Sequence, residues 1–285
     1  MIPEGAWRAL RKDPPAATAL VVVSVLVAGA VLVPVVSGTD LAATAITERL
    51  QAPSWAGGDG GWLGTDQLGR DLALLISHGL RTSFLVGALA VALGAGIGTL
   101  FGMLAGYVGG WVDALIMRLT EVQMSFPSLL LVMTLVTVYG RGTLLIIVFL
   151  GLNSWMLYAR VARVMVLSLR RSELVMSVES IGASTSRILV RHVLPNSLVG
   201  LLAVAAVEFA RAMLAEASLS FLGFGVEPPQ VSLGLILAGG RDHLEGAWWI
   251  ATFAGLFLAI SVLSTNLMAA WLQRITDPIG RLGGR

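Results

Sequence analysis

The sequence contains no cysteine, one lysine and only three histidines. The absence of cysteine excludes disulfides, thiolate metal sites and cysteine nucleophiles. The histidines, His78, His192 and His243, are far apart and lack the spacing of metal ligands. A phosphate-binding P-loop needs the pattern GxxxxGK[ST], but the one lysine, Lys12, is followed by Asp13. The sequence therefore predicts no catalytic, metal or cofactor site in this chain.

Charged residues are also scarce. They make up 13% of the 285 residues, whereas 56% are hydrophobic; soluble domains carry about 25% charged residues. The sequence therefore predicts an integral membrane protein. The net charge of +2 is too small to suggest nucleic acid as a partner. The chain start is too polar, and the apolar run after it too long, for a cleaved signal peptide, so we expect the first span to be retained.

Six apolar segments have the length of about 20 residues that is needed to cross a bilayer. They are Ala16–Val36, Ser83–Tyr107, Ala114–Tyr139, Thr143–Leu167, Ser197–Phe221 and Trp248–Leu272. The predicted fold is therefore all-α with six transmembrane helices. In the second segment, Gly94, Gly98 and Gly102 have the GxxxG spacing that allows close helix contact in lipid. In the third, Pro127 removes a backbone hydrogen bond and predicts a bend. Glu121, near the inner end of this segment, would either snorkel or pair with Arg118.

The basic residues indicate how the chain is oriented. With the N-terminus inside and six spans, thirteen of the nineteen lysines and arginines fall in inner segments and five in outer segments. This bias predicts a multi-pass protein of the cytoplasmic membrane with both termini in the cytoplasm. We divide the chain into residues 1–80, with the N-terminal tail, first span and an extracytoplasmic loop, and residues 81–285, with the other spans.

Two outer segments are predicted to be loops. In residues 37–80, a helix could follow Asp66, with Thr65 or Asp66 as its N-cap. This loop would either seal the outer end of the protein or contact an external partner. The second loop is expected from Gly223 to Ala247.

A polar interruption, Leu169–Asn196, lies on the predicted cytoplasmic side. At about 100° per residue, a helix here has one apolar and one polar arc. The apolar arc holds Leu174, Val175, Val178 and Ile181, and the polar arc holds Glu173, Ser177, Glu179 and Ser180. Met176 lies within the polar arc, so we expect an exposed apolar side chain there. Gly182 would end this helix in a left-handed conformation, a second helix would start at Ser184, and Pro195 would stop it. The alternatives are a solvated loop or an interfacial helix without a partner.

This interruption resembles the EAA loop of binding-protein-dependent ABC transporter permeases, which reads Glu-Ala-Ala, three residues, Gly, and an Ile-x-Leu-Pro-like ending. Gly182 and Val193–Pro195 match that pattern, whereas Met176, Ser177 and Val178 depart from Glu-Ala-Ala. Further matching stretches are GTDQLGRD (64–71), AGYVGGWVDALIMR (105–118), FPSLLL (126–131), EASLSFLGFGVEPP (216–229) and GRDHLEGAWW (240–249). Together they are similar to the C-type permease subunit of dipeptide/oligopeptide (and nickel or haem) importers, over nearly the whole chain beyond the first span.

The resemblance implies a type I ABC importer permease fold with a cytoplasmic coupling helix, in the bacterial inner membrane. It implies a non-enzymatic subunit that forms half of a path for di- or oligopeptides, haem or a nickel complex. The implied partners are a second, homologous permease, one or two ABC ATPase subunits that bind ATP and Mg, an extracytoplasmic substrate-binding protein and the lipid bilayer. The residues implied in coupling to the ATPase are Glu173, Met176, Glu179, Gly182, Ala183, Arg187 and Pro195. Since methionine cannot pair with a basic group, we expect Met176 to dock as an apolar knob, with Glu173 or Glu179 supplying any charge.

Three charged residues, Glu208, Arg211 and Glu216, lie within the fifth span. Such residues are costly in a membrane and usually face the protein interior or a water-filled path. We expect them to line the translocation path or to face the partner permease. Alternatively, Glu208 and Arg211 pair with each other near a helix end, and Glu216 caps or pairs at the outer end.

Two alternative functions make different demands on the sequence. A secondary transporter not driven by ATP would need an internal repeat with broken helices, for which Pro127 is the only hint. A membrane-embedded enzyme would need histidine, aspartate or cysteine clustered within the spans, and the sequence has no such cluster.

Overall fold

The computed structural model describes residues 10–11, 13–37, 45–170, 172–180 and 182–276. This part of the chain is all-α, as predicted. Its helices are α1 (Pro14–Ser37), α2 (Leu72–Val108), α3 (Gly110–Met124), α4 (Ser128–Tyr139), α5 (Thr143–Arg170), α6 (Glu173–Ser180), α7 (Thr185–Ile188), α8 (Leu194–Phe221), α9 (Leu233–Arg241) and α10 (Trp248–Thr276). Short 3₁₀ turns occupy Ile46–Glu48 and Ser54–Ala56, and a π turn, Leu189–Val193, joins α7 to α8. Lys12 and the tail beyond Thr276 lie outside the described residues.

Five of the described helices, α1, α2, α5, α8 with its π turn, and α10, are long and apolar enough to cross a membrane. The sixth predicted span consists of α3 and α4, which meet at an angle of 86°. At 1.5 Å per residue these two helices are only about 22 and 18 Å long, so neither alone crosses a core of about 30 Å. Six spans are therefore present when the bent pair is counted as one.

The break between α3 and α4 confirms the bend expected at Pro127, but the continuous helix predicted for Ala114–Tyr139 is wrong. The amides of Ser125 and Phe126 bond back to the carbonyls of Glu121 and Gln123, which ends α3. Proline has no N–H and disfavours helical geometry in the residue before it, so α4 starts afresh after Pro127.

Helix α2 begins earlier than predicted, at Leu72 rather than Ser83. Its N-cap is Asp71, whose carboxylate accepts a hydrogen bond from Leu74 N at 2.9 Å. The helix runs through residue 80, so the predicted division between 1–80 and 81–285 falls inside one helix.

The N-cap predicted at Thr65 or Asp66 is also wrong. The carboxylate of Asp66 closes a turn, because it accepts hydrogen bonds from Leu68 N at 2.9 Å and Arg70 N at 2.8 Å. Gly69 in this turn has φ +75°, which is outside the right-handed helical region.

The loop predicted at Gly223–Ala247 contains helix α9. Ser232 caps this helix by accepting a hydrogen bond from Leu235 N at 3.3 Å. Leu233 and Ile236 are buried in a cluster with Leu72 of α2 and Trp249 of α10. Tertiary contacts therefore hold this helix in place. Its nine residues include three glycines and show no periodic apolar pattern from which a helix could be predicted.

The most extensive helix contact joins α2 to α5. Gly94, Gly98, Gly102 and Gly106 follow one another at four-residue intervals on the buried face of α2. A Cβ added at Gly98 would overlap the carbonyl oxygen of Trp155, and one at Gly102 would overlap that of Ala159. The close approach predicted from GxxxG spacing is therefore confirmed, with α5 as the partner helix.

Separate apolar clusters hold the two ends of the bundle. At the α9 end, α1, α2, α9 and α10 pack together around Leu72, Leu75 and Trp249. At the α6 end, Tyr107 of α2 and Val166 of α5 pack against the segment between α6 and α8. Because α2 contributes to both clusters, it connects the two ends.

The close contact between α2 and α5 predicts that alanine substitutions at two glycines of α2 have very different effects on stability. Gly98→Ala should lower the free energy of unfolding by about 1–3 kcal/mol, because the α5 backbone must move away. Gly96→Ala is the matched control, because a Cβ there meets nothing within 4 Å, and alanine favours a helix by about 1 kcal/mol over glycine. The melting temperature of the purified protein, followed by tryptophan fluorescence, measures both. Equal melting temperatures would contradict the packing.

Candidate functional site

A cavity of about 610 Å³ lies between α2, α5 and α8, beside the break between α3 and α4. Its walls are mostly apolar. The polar side chains that line it are Ser128, Asn153, Ser154, Glu208, Arg211 and Ser218. Two of the three charged residues singled out from the sequence are therefore in one cavity.

Glu208 and Arg211 form an ion pair on the cavity wall, with Arg211 Nη1 3.1 Å from Glu208 Oε1. The two side chains differ in exposure, at 9% for Glu208 and 68% for Arg211. The expected pairing of Glu208 with Arg211 is therefore present, but it lies near the middle of α8 and not near a helix end. Because burying a lone charge in a membrane is costly, the pair keeps this wall electrically neutral.

Glu216 lies on the same helix but does not line this cavity. It is fully buried within the subunit. Its carboxylate accepts hydrogen bonds from Ser83 Oγ of α2 at 2.8 Å and from Ser220 Oγ of its own helix at 2.6 Å. These contacts join α2 to α8. The structure therefore gives Glu216 a packing role, close to the alternative in which it pairs within the protein.

One wall of the cavity is the break itself, where Phe126 is 56% exposed. Gln123, just before the break, holds α3 against α5. It accepts a hydrogen bond from Trp155 Nε1 at 2.7 Å and donates to the carbonyl of Leu152 at 2.8 Å. Gln123 was not among the residues predicted from the sequence. The feature that could have indicated it is an uncharged amide side chain within a predicted span, close to Pro127.

The polar interruption folds into two helices, as predicted. Helix α6 spans Glu173–Ser180, and Gly182 follows it with φ +81°. Met176 is 49% exposed, which confirms the exposed apolar side chain. Val178, two residues further and about 200° round the helix, packs against the cluster at the α6 end. Ile181 and Arg171 lie outside the described residues, as do the side chains of Leu174, Val175, Glu173 and Glu179.

Pro195 does not stop the second helix, so that prediction is wrong. Helical bonding continues from α7 through the π turn into α8, with Leu194 N bonding to Leu189 O. A π turn spans one residue more than an α turn, and Pro195 lies in the first turn of α8, where proline is tolerated. Near this junction, the side-chain amide of Asn196 donates a hydrogen bond to the backbone carbonyl of His192, with Nδ2 2.6 Å from the oxygen.

An apolar cluster attaches the polar interruption to the bundle. Val178 and Ala183 pack against buried Tyr107 of α2, Val166 of α5 and Ile188 of α7. The other residues implied in coupling, Arg187 and Pro195, have exposed side chains. The α6 end therefore presents Met176, Arg187 and Pro195 outward while Val178 and Ala183 hold it in place.

Arginines of α5 connect the same end to α2 and α3. Arg163 makes two hydrogen bonds of 2.5 Å with the Asp113 carboxylate. Arg170 donates to the carbonyl of Tyr107 at 2.8 Å, and its guanidinium lies 5.3 Å from the centre of the Tyr107 ring. The predicted pair of Arg118 and Glu121 is also present, at 3.2 Å and largely exposed.

At the α9 end, the Gly64–Asp71 turn is folded against α10. Thr65 is buried; its carbonyl accepts a hydrogen bond from Trp249 Nε1 at 3.1 Å, and its hydroxyl donates to Glu48 O at 2.5 Å. Asp66 is 2% exposed and bonded to Arg70. These contacts support the first role considered for this loop, a structural seal. In the described part of the chain, no group of three or more histidines, aspartates or glutamates could hold a metal.

Comparisons with known proteins agree with this architecture. Residues 98–278 match the family "Binding-protein-dependent transport system inner membrane component", and residues 4–53 match the "N-terminal TM domain of oligopeptide transport permease C". Among solved structures, inward facing conformations of the MetNI methionine ABC transporter are similar in fold, with a TM-score of 0.56 and 19% sequence identity, over 71% of this chain and 97% of that chain.

Relatives with assigned names match most of the chain. The oligopeptide transport system permease protein OppC of Escherichia coli (strain K12) is 39% identical, over 93% of this chain and 88% of OppC. The di/tripeptide transport system permease protein DppC of Pseudomonas aeruginosa (strain UCBPP-PA14) is 36% identical, over 80% of this chain and 76% of DppC. With the family match covering more than half of its length, this chain belongs to the binding-protein-dependent transport system inner membrane components, as a multi-pass ABC transporter permease with the type I importer fold.

Proposed function

We propose that this chain forms one half of the membrane path of an ATP-driven importer of di- or oligopeptides. The observation that carries the proposal is the cavity beside the α3–α4 break, which holds the Glu208–Arg211 pair near the middle of a spanning helix. A peptide carries charges and polar amides, so a path for it needs neutralised charge and hydrogen-bonding groups inside an apolar protein. The names of the OppC and DppC relatives support peptides as the cargo.

The remaining partners are a second permease, one or two ATPase subunits that bind ATP and Mg, and an extracytoplasmic substrate-binding protein. The second permease would cover α3 and α4, whose exposed side chains include Leu115, Leu119 and Leu130. Arginine bias supports an orientation with both termini and the α6 end in the cytoplasm. The α9 end, with Asp66 and its turn, would then face the binding protein. This chain itself would carry no catalytic residue.

The coupling route runs from α6 to the cavity. Pressure from an ATPase on Met176 would move α6 as a unit with the cluster around Val178. From that cluster, α7 continues through the π turn into α8, which carries Glu208 about 30 Å further along the helix. One continuous helical segment would therefore carry a displacement from the ATPase side to the wall of the path.

The first test of coupling changes the exposed side chain of α6. Met176→Asp should lower ATP hydrolysis stimulated by the loaded binding protein by about tenfold, because an unpaired carboxylate enters an apolar contact. Glu179→Ala should lower it less, because its expected role is to supply charge to the docking surface while Met176 supplies the apolar contact. Met176→Leu keeps an apolar side chain and is the control. Full stimulation in both Met176→Asp and Glu179→Ala would refute the docking model.

The second test concerns the path. Glu208→Gln or Arg211→Met leaves the other charge of the pair unpaired at membrane depth, so peptide uptake should fall by about tenfold or more. Uptake is measured in vesicles that contain the whole transporter, and assembly is checked by co-purification of the ATPase. Normal assembly with normal uptake in both variants would remove these residues from the path.

A third measurement separates ATP-driven import from secondary transport, for which the broken α3–α4 span was the structural hint. Uptake that depends on ATP and is inhibited by vanadate is expected. Uptake that instead follows a proton or sodium gradient would favour the secondary transporter.

A further inference from the structure

We propose that Glu208 and Arg211 form a site for the two charged ends of a passing peptide, with Glu208 binding the α-ammonium and Arg211 the α-carboxylate. This inference rests on the proposed function, since it takes the cavity to be part of the path. It adds the substrate feature that the membrane subunit itself would recognise.

The two side chains of the pair are exposed to very different extents. Glu208 is nearly buried in the wall, whereas 68% of the Arg211 side chain is exposed. A pair that served packing alone would shield both charges. Glu208 therefore provides a negative charge fixed in the wall, and Arg211 provides a cation on a long side chain that is exposed to the cavity.

The bonding between the Glu208 carboxylate and the Arg211 guanidinium is incomplete. A guanidinium and a carboxylate can form two parallel hydrogen bonds, as Arg163 and Asp113 do in this protein. In the described part of the chain, Glu208 has one hydrogen bond, from Arg211 Nη1 at 3.1 Å. The second oxygen of the Glu208 carboxylate accepts no hydrogen bond from the described residues, and Glu208 lines the cavity.

The charges of the pair match those at the two ends of a free peptide. A free peptide at neutral pH carries one ammonium and one carboxylate, because its α-amino pKa is about 8 and its α-carboxyl pKa about 3.5. Its binding would replace one ion pair in the wall by two pairs between wall and peptide, with no net charge added to the membrane interior. The peptide must also compete with the internal pair, which keeps binding weak, as rapid passage requires.

The rest of the cavity suits the middle of a peptide. Ser128, Asn153, Ser154 and Ser218 offer hydrogen-bonding groups, and the remaining walls are apolar. Such walls accommodate many side chains without selecting one. Recognition of the two ends would therefore be compatible with variable peptide sequence.

The test compares three probes in the complete transporter, reconstituted in vesicles with its binding protein. The probes are trialanine, N-acetyl-trialanine and trialanine amide, each used at a concentration that saturates the binding protein. The wild type should move trialanine about tenfold faster than either blocked peptide, which corresponds to about 1.4 kcal/mol for each end. Glu208→Gln should abolish the preference for the free amino end only, and Arg211→Gln the preference for the free carboxylate only.

Glu216→Gln is the matched control, since it alters a carboxylate of the same helix that lies outside the cavity. It should keep both preferences. If Glu208→Gln and Arg211→Gln slow all three probes equally, the residues belong to the path but recognition of the ends is refuted. If neither variant changes any rate, the path role fails as well.

Discussion

The close contact between α2 and α5 is the constraint on which the rest of the structure depends. Gly98 and Gly102 allow the two backbones to approach to a distance that no larger residue permits. In lipid, where apolar surfaces gain little from avoiding water, such packing is a main source of helix association. Because α2 also enters the clusters at both ends of the bundle, this one contact sets the positions of the Gly64–Asp71 turn, the cavity wall and the α6 segment.

The features that the sequence predicted well are those with a strong local cause. Apolar runs identified the spans, GxxxG spacing identified the packing face, and the polar arc identified Met176 as exposed. The misses have mixed causes. Helix α9 is held by the burial of Leu233 and Ile236, which is a tertiary effect. The start of α2 at Asp71 rather than Asp66 has a local cause, because Gly69, three residues after Asp66, takes φ +75° in a turn that the Asp66 carboxylate closes.

The charged residues of the fifth span show how far sequence reasoning reaches into the site. Hydropathy alone predicts that Glu208, Arg211 and Glu216 face the protein interior or a water-filled path. Glu208 and Glu216 are buried, whereas Arg211 is 68% exposed on the cavity wall. Glu208 and Arg211 form a pair in the cavity, whereas Glu216 is surrounded by serine hydroxyls. This difference depends on helices that are distant in the sequence, since Ser83 lies on α2. The same helix thus contributes to the cavity and to the packing that holds that cavity in place.

The π turn at Leu189–Val193 has a consequence for the angular relation of the two helices it joins. Each residue of an α-helix advances the side-chain direction by about 100°, so the additional residue of a π turn rotates everything beyond it by a comparable angle relative to an unbroken α-helix. This one turn therefore fixes the angle, about the helix axis, between the face of α7 that meets Tyr107 and the face of α8 that bears Glu208. A single-residue deletion within it would leave the composition of both helices intact and turn the charged pair away from the cavity.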